Sequence, residues 1–242
     1  MADQVAAPSG LSILFAFLGG ILPALLWLWF WLQEDRAHPE PRGRIMLSFL
    51  GGMIAVALVI PLQHFTFDYF GGLNGSTIFA WAVIEEMMKY LVVAGVALHS
   101  KDFDEPLDAM EYLIITALGF AALENTLYIL KSYYAANPLF PQYSLQSFIT
   151  GDERFIGATL LHVVCSALIG YCLAYAFYMS KGKKMALRII GISLAIALHA
   201  VFNLFIISNT GNSKYYMFSI VWVMVLIVLL LFEKIKRVKA QP

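Results

Sequence analysis

Residues 76–98, STIFAWAVIEEMMKYLVVAGVAL, constrain this chain more than any other stretch. A run of about 23 mostly apolar residues has the length of a membrane-spanning helix. Glu85, Glu86 and Lys89 lie in its middle. Each such group costs roughly 2.5–3.5 kcal/mol to place at the bilayer centre on an insertion scale. A helix keeps three of them only if they are paired, neutralised or put to chemical use. Glu85 and Lys89 are four residues apart with the glutamate first, the favourable order for a pair on one helix face. Glu86 lies about 100° round the helix and has no local partner. On this pattern Lys89 neutralises Glu85, and Glu86 is the freer carboxylate and expected base, with Glu85 sharing the work. The plainer reading is a buried salt bridge plus one protonated glutamate that helps helices to pack.

Composition sets the class. Of 242 residues, 60% are hydrophobic and 13% charged, about half the charge of an ordinary soluble domain. The formal net charge of zero offers no electrostatic footprint for nucleic acid, so no nucleic-acid partner is expected. Cys165 and Cys172 are seven residues apart on one apolar segment, roughly 10 Å along a helix and too far for a disulfide. They read as small packing residues.

Length and apolarity predict an all-α, polytopic membrane bundle of about seven transmembrane helices, near residues 11–32, 45–65, 76–98, 109–130, 155–179, 187–207 and 215–232. The first apolar run is too long for a signal-peptide core and is expected to be retained. Charge sets the orientation. Arg36, Arg42, Arg44, Lys101, Lys181, Lys183, Lys184, Arg188, Lys234, Lys236, Arg237 and Lys239 fall on one side, and Lys131, Arg154 and Lys214 on the other. The positive-inside rule then places the N-terminus outside and the C-terminus in the cytoplasm. Residues 131–154 form an outside loop whose aromatic rings suit the headgroup level. No internal repeat or second domain is evident, so residues 1–242 read as one integral membrane domain with a catalytic core within 76–207.

Other polar residues sit inside the spans. The fourth carries Glu124 and Asn125, with Phe120 one turn before; the fifth carries His162, followed at four-residue steps by Ser166 and Gly170; the sixth carries His199, with Asn203 one turn later. Helix rise places Glu85 and Glu86 about 14 Å below the outer surface, Glu124 roughly 10 Å, His162 about 12 Å and His199 about 13 Å. Four helices thus bring carboxylates and imidazoles to one level in the outer half of the bilayer. Independent packing residues need not share a depth, so a common site is expected. Ser166 and Gly170 read as close-contact positions and Lys89, Asn125 and Ser166 as structural support.

Two imidazoles and a carboxylate match the donor types of catalytic zinc, with His162, His199 and Glu124 as the ligand set and another glutamate as general base. Without metal, a glutamate activates water while His162, His199 and Asn203 hold the oxyanion of an attacked amide. Either route is peptide hydrolysis within the membrane. The motifs Gly-x-Ser-x-Gly and His-Glu-x-x-His are absent, as is an intramembrane Asp pair. Two other classes use the same residue types. A proton-coupled transporter would line a cavity with Glu, His and Lys, but more often shows inverted repeats and Gly/Pro-broken helices. A non-catalytic membrane scaffold would not need both glutamates and both histidines.

The order E-E-x-x-K, G-F-A-x-x-E-N, a membrane histidine and then H-x-x-x-N, within residues 85–203, resembles the PrsW family of intramembrane proteases. That family is related to the CAAX prenyl endopeptidases and more distantly to the multi-span scaffold subunit of γ-secretase. The resemblance implies a multi-pass protein of the bacterial plasma membrane. It also implies cleavage of a single-span substrate, an anti-sigma factor, at its outer side. Glu85 and Glu86 match the paired glutamates, Glu124 the glutamate of the fourth-span motif, His162 and His199 the histidines, and Asn203 the asparagine. It leaves zinc open, since the family is catalogued as metallopeptidases while its relatives have also been argued to be glutamate proteases.

Overall fold

In lipid every backbone N–H and C=O must find its partner within the segment, so apolar runs of this length become helices. The computed structural model describes residues 10–34, 38–134, 157–208 and 213–238. Among the described residues it contains seven helices and no strand. They are α1 (Gly10–Trp31), α2 (Arg42–Tyr69), α3 (Gly75–Val96), α4 (Asp108–Tyr134), α5 (Thr159–Tyr175), α6 (Lys181–Ser208) and α7 (Ser213–Ile235). Every expected span coincides with one of them. By length and composition, α1, α2, α4, α6 and α7 are long and apolar enough to cross a membrane. Three charges on α3 and the 17-residue length of α5 keep those two outside that class. The expected 131–154 loop lies, beyond Tyr134, outside the described residues.

The bundle is organised around α4. Residues 106–122 are buried without interruption, because α1, α2 and α5 pack on different sides of this helix. Glycines allow the approach. A Cβ on Gly119 of α4 would lie 1.9 Å from the Phe49 carbonyl oxygen of α2, and one on Gly52 of α2 would lie 2.1 Å from the Thr116 carbonyl oxygen of α4. Gly170 of α5 meets the Met110 backbone in the same way, as its spacing suggested. Small residues at helix crossings are what packing in lipid requires, since hydrophobic burial gives no net drive there. The outer surfaces of α1, α2, α6 and α7 expose Leu14, Phe65, Ile189, Leu226 and many like them, which suits contact with acyl chains.

Two connections position the site. After α2, Gly71 and Gly72 adopt φ of +72° and +113° and reverse the chain, and Asn74 caps α3 by accepting the Thr77 N–H at 3.0 Å. This five-residue turn lays α3 antiparallel on α2. At the other end, Arg44 of α2 donates to Asp102 at 2.7 and 3.0 Å and to the Val96 carbonyl at 2.6 Å, fixing the end of α3. Tyr112 of α4 donates to Glu40 in the linker before α2. Burial pushes the Glu40 carboxyl up to about 8.

Because Gly119 meets backbone rather than a movable side chain, Gly119→Ala should destabilise the protein by about 1–3 kcal/mol in detergent denaturation. Gly95→Ala, where an added Cβ meets nothing within 4 Å, should not. Equal stabilities would show that α2 and α4 do not cross this closely.

Candidate active site

Helical periodicity turns Glu85, Glu86 and Lys89 inward from α3, where they are at most 3% exposed. The expected pairing is reversed. Lys89 Nζ lies 2.5 Å from Glu86 Oε1, one turn away at i,i+3, and 3.1 Å from His162 Nδ1 on α5. Both i+3 and i+4 neighbours share a helix face, so spacing alone cannot choose between them. The surrounding helices decide. His199 of α6 places Nδ1 2.6 Å from the same Glu86 Oε1, while Glu85 turns toward α2 and accepts a 2.8 Å hydrogen bond from Gln63 Nε2. Glu86 is therefore the committed carboxylate and Glu85 the freer one.

The remaining contacts close a network. His162 Nε2 lies 3.0 Å from Glu124 Oε2 of α4, and the two imidazole rings meet edge to face at 5.2 Å. An ammonium only donates, so His162 accepts at Nδ1 and carries its hydrogen on Nε2 toward Glu124. His199 donates from Nδ1 to Glu86, which leaves Nε2 as an acceptor in the neutral ring. That nitrogen faces Glu85 Oε2 at 3.6 Å, and Glu85 Oε2 is buried with no hydrogen-bond partner. Two electron-pair donors opposed at this distance are unfavourable unless a proton, a water or a cation lies between them. Phe120 walls the cluster, 5.3 Å from the His162 ring and 5.2 Å from Lys89 Nζ.

The depth argument thus holds as contact: Glu85, Glu86, Glu124, His162 and His199 touch one another from four helices. Asn125 donates to Thr159 at 2.8 Å and ties α4 to α5, and Ser166 is buried one turn beyond His162. Asn203 is partly buried one turn beyond His199. Among the described residues, two groups bring three metal-donor atoms within 4.8 Å of one another: Glu85, His162 and His199, and Glu86, Cys165 and His199. Glu124, expected among the ligands, belongs to neither. The unpartnered Oε2 of Glu85, opposite an imidazole, fits a metal ligand. Sequence reasoning missed Gln63, which reads there as an ordinary polar residue near a span end. It also took Cys165 for packing, although His162-x-x-Cys165 places both on one face of α5.

Residues 40–231 match the family model described as PrsW family intramembrane metalloprotease. Protease PrsW of Clostridioides difficile is 28% identical over 194 residues, covering 77% of this chain and 77% of that protein. Protease PrsW of Bacillus subtilis is 27% identical over 213 residues, covering 84% and 88% respectively. Protease PrsW of Shouchella clausii is 25% identical over 222 residues, covering 91% and 95%. No solved structure matches the chain.

Lys89→Met should destabilise the protein by about 3–5 kcal/mol, because it strands the buried Glu86 carboxylate. Adding Glu86→Gln should restore part of that loss. Denaturation of the single and double variants in detergent measures the coupling, and strictly additive losses would exclude the Lys89–Glu86 pair as drawn.

Proposed function

The chain belongs to the PrsW family of intramembrane proteases, and we propose that it hydrolyses single-span membrane proteins of the anti-sigma-factor class with a water activated by Glu85. That it is a protease and a multi-pass bacterial membrane protein follows from the family match and the apolar helices. The observation that carries the mechanism is the buried, unpartnered Glu85 Oε2 facing His199 Nε2. A water there meets a base on one side and an imidazole on the other.

Gln63 holds Oε1 of Glu85, so Oε2 is the atom free to take the proton. The water oxygen adds to the scissile carbonyl carbon, and the side-chain amide of Asn203, one turn beyond His199, donates to the resulting oxyanion. Glu85 then returns its proton to the departing amine as the C–N bond breaks. Glu86 and Lys89 hold His199 and His162 in register, and Glu124 orients the His162 ring from behind. Zinc held by Glu85, His162 and His199 would lower the pKa of a bound water and polarise the carbonyl; His162 would have to exchange its Lys89 contact for the metal, and Glu85 would then serve as ligand rather than base.

All seven helices span the membrane in this reading, with the N-terminus outside, the C-terminus cytoplasmic and the catalytic core within residues 76–207. A substrate helix cannot expose its amides in lipid cheaply. Cleavage therefore falls within about two turns, roughly 11 Å, of the substrate's outer boundary.

Two experiments test this reading. Purified protein incubated with a single-span reporter should release fragments whose termini, mapped by mass spectrometry, cluster at the outer boundary; Glu85→Gln should reduce kcat at least ~100-fold while the protein remains folded. Near-normal turnover by that variant, or cuts at the cytoplasmic boundary, would sink the proposal. For the metal, a membrane-permeant chelator should abolish cleavage and zinc restore it, and chelated, metal-free enzyme that still cleaves would leave the glutamate to act alone.

A further inference from the structure

The crossing at Gly52 and Gly119 holds α2 and α4 together, but beyond it the two helices leave a cavity of about 170 Å³. Its enclosed end is walled by Val56, Val59 and Phe120, all nearly inaccessible, and its open end is bordered by exposed Leu127 and Tyr128. Pro61, on the α2 segment beside it, cannot donate a hydrogen bond to the Ala57 carbonyl, so the helix is least constrained here.

Lys131 borders the cavity beside Tyr128, and two further polar lining side chains, Gln63 and Glu124, belong to the catalytic network. Gln63 binds Glu85 Oε1 and Glu124 binds His162 Nε2, so the cavity abuts the reacting groups. An apolar cavity of about 150 Å³ accommodates benzene. The volume therefore suits one leucine- or phenylalanine-sized group, and the part walled by Val56, Val59 and Phe120 would penalise a charged one.

We propose that the α2–α4 cavity is a specificity subsite that receives a large apolar side chain of the substrate flanking the scissile bond. The inference rests on the proteolytic reading above and adds a sequence preference to it. A side chain seated here leaves its own backbone beside Gln63 and Glu124, where an unwound peptide presents its next amide to Glu85. Acceptance or rejection of a few methylene groups in an apolar pocket changes kcat/KM by about 10–200-fold.

The test uses the full-length protein and a single-span reporter whose outer boundary segment is varied one position at a time among Gly, Ala, Leu, Phe, Trp and Asp. Wild-type protein should prefer Leu or Phe over Gly at one position next to the cut, at least tenfold in kcat/KM. Val59→Phe should fill the cavity and reverse that preference toward Gly and Ala. Val56→Ala should enlarge it and admit Trp, which keeps the test available if the filled variant does not fold. Cleavage by wild type with no positional preference, or a preference unchanged within twofold in both variants, would overturn the subsite while leaving proteolysis standing. No cleavage of any reporter by wild type would overturn the proteolytic reading and the subsite with it. A preference that collapses on adding phospholipid to detergent-solubilised protein would overturn the proposal in favour of an acyl chain as the occupant.

Discussion

The structure depends on one buried cation. Lys89 has no exposed surface, and its ammonium touches Glu86 on its own helix, His162 on α5 and the ring of Phe120 on α4. Through Glu86 it also reaches His199 on α6. A single positive group in a low-dielectric interior must be surrounded by acceptors, and those acceptors come from different helices. Satisfying it therefore fixes the rotation of four helices about their axes. The same constraint engages Glu86 Oε1 twice, with Lys89 and His199, whereas Glu85 accepts one hydrogen bond from Gln63 and turns its unpartnered Oε2 toward His199. Stability and reactivity are divided between adjacent residues of one sequence pair.

Around that centre, α4 serves as the post. Its glycine contacts set how near α2 and α5 stand, and so set the distances across the cluster: Glu124 to His162 on one side, Gln63 to Glu85 on the other. A helix with a buried residue at every position from 108 to 122 has no spare face on which to slide. Rigid supports of this kind hold polar groups at hydrogen-bond distances without water to anneal them.

Much of this was legible in the residues. Apolar run length located the seven described helices, and helix rise suggested a shared level for Glu85, Glu86, Glu124, His162 and His199, which lie in one contact network. Depth is a one-dimensional quantity, and the sequence carries it well. Azimuth is not. Whether Lys89 turns to Glu85 or Glu86 depends on where His162 and His199 stand, and that is set by crossings such as Gly52 with Gly119. Gln63 escaped notice for a related reason, since a glutamine near the end of an apolar run looks like a residue that meets the headgroups. Only the antiparallel placement of α2 on α3 brings it to Glu85. Asn203 shows the reverse case, a motif position that the described hydrogen bonds do not draw into the network.

The tight turn between α2 and α3 bears on how the chain enters the bilayer during synthesis. Alone, α3 would present Glu85, Glu86 and Lys89 to lipid before any of α4, α5 or α6 existed to receive them. With only residues 70–74 between them, α2 and α3 form a helical hairpin, and for an α3 that spans the bilayer as proposed the apolarity of α2 can carry its charged neighbour across. Gln63 then meets Glu85, and Lys89 meets Glu86, within that hairpin, before His162 and His199 arrive from α5 and α6. The order of the helices along the chain thus spares the growing protein an isolated charged segment.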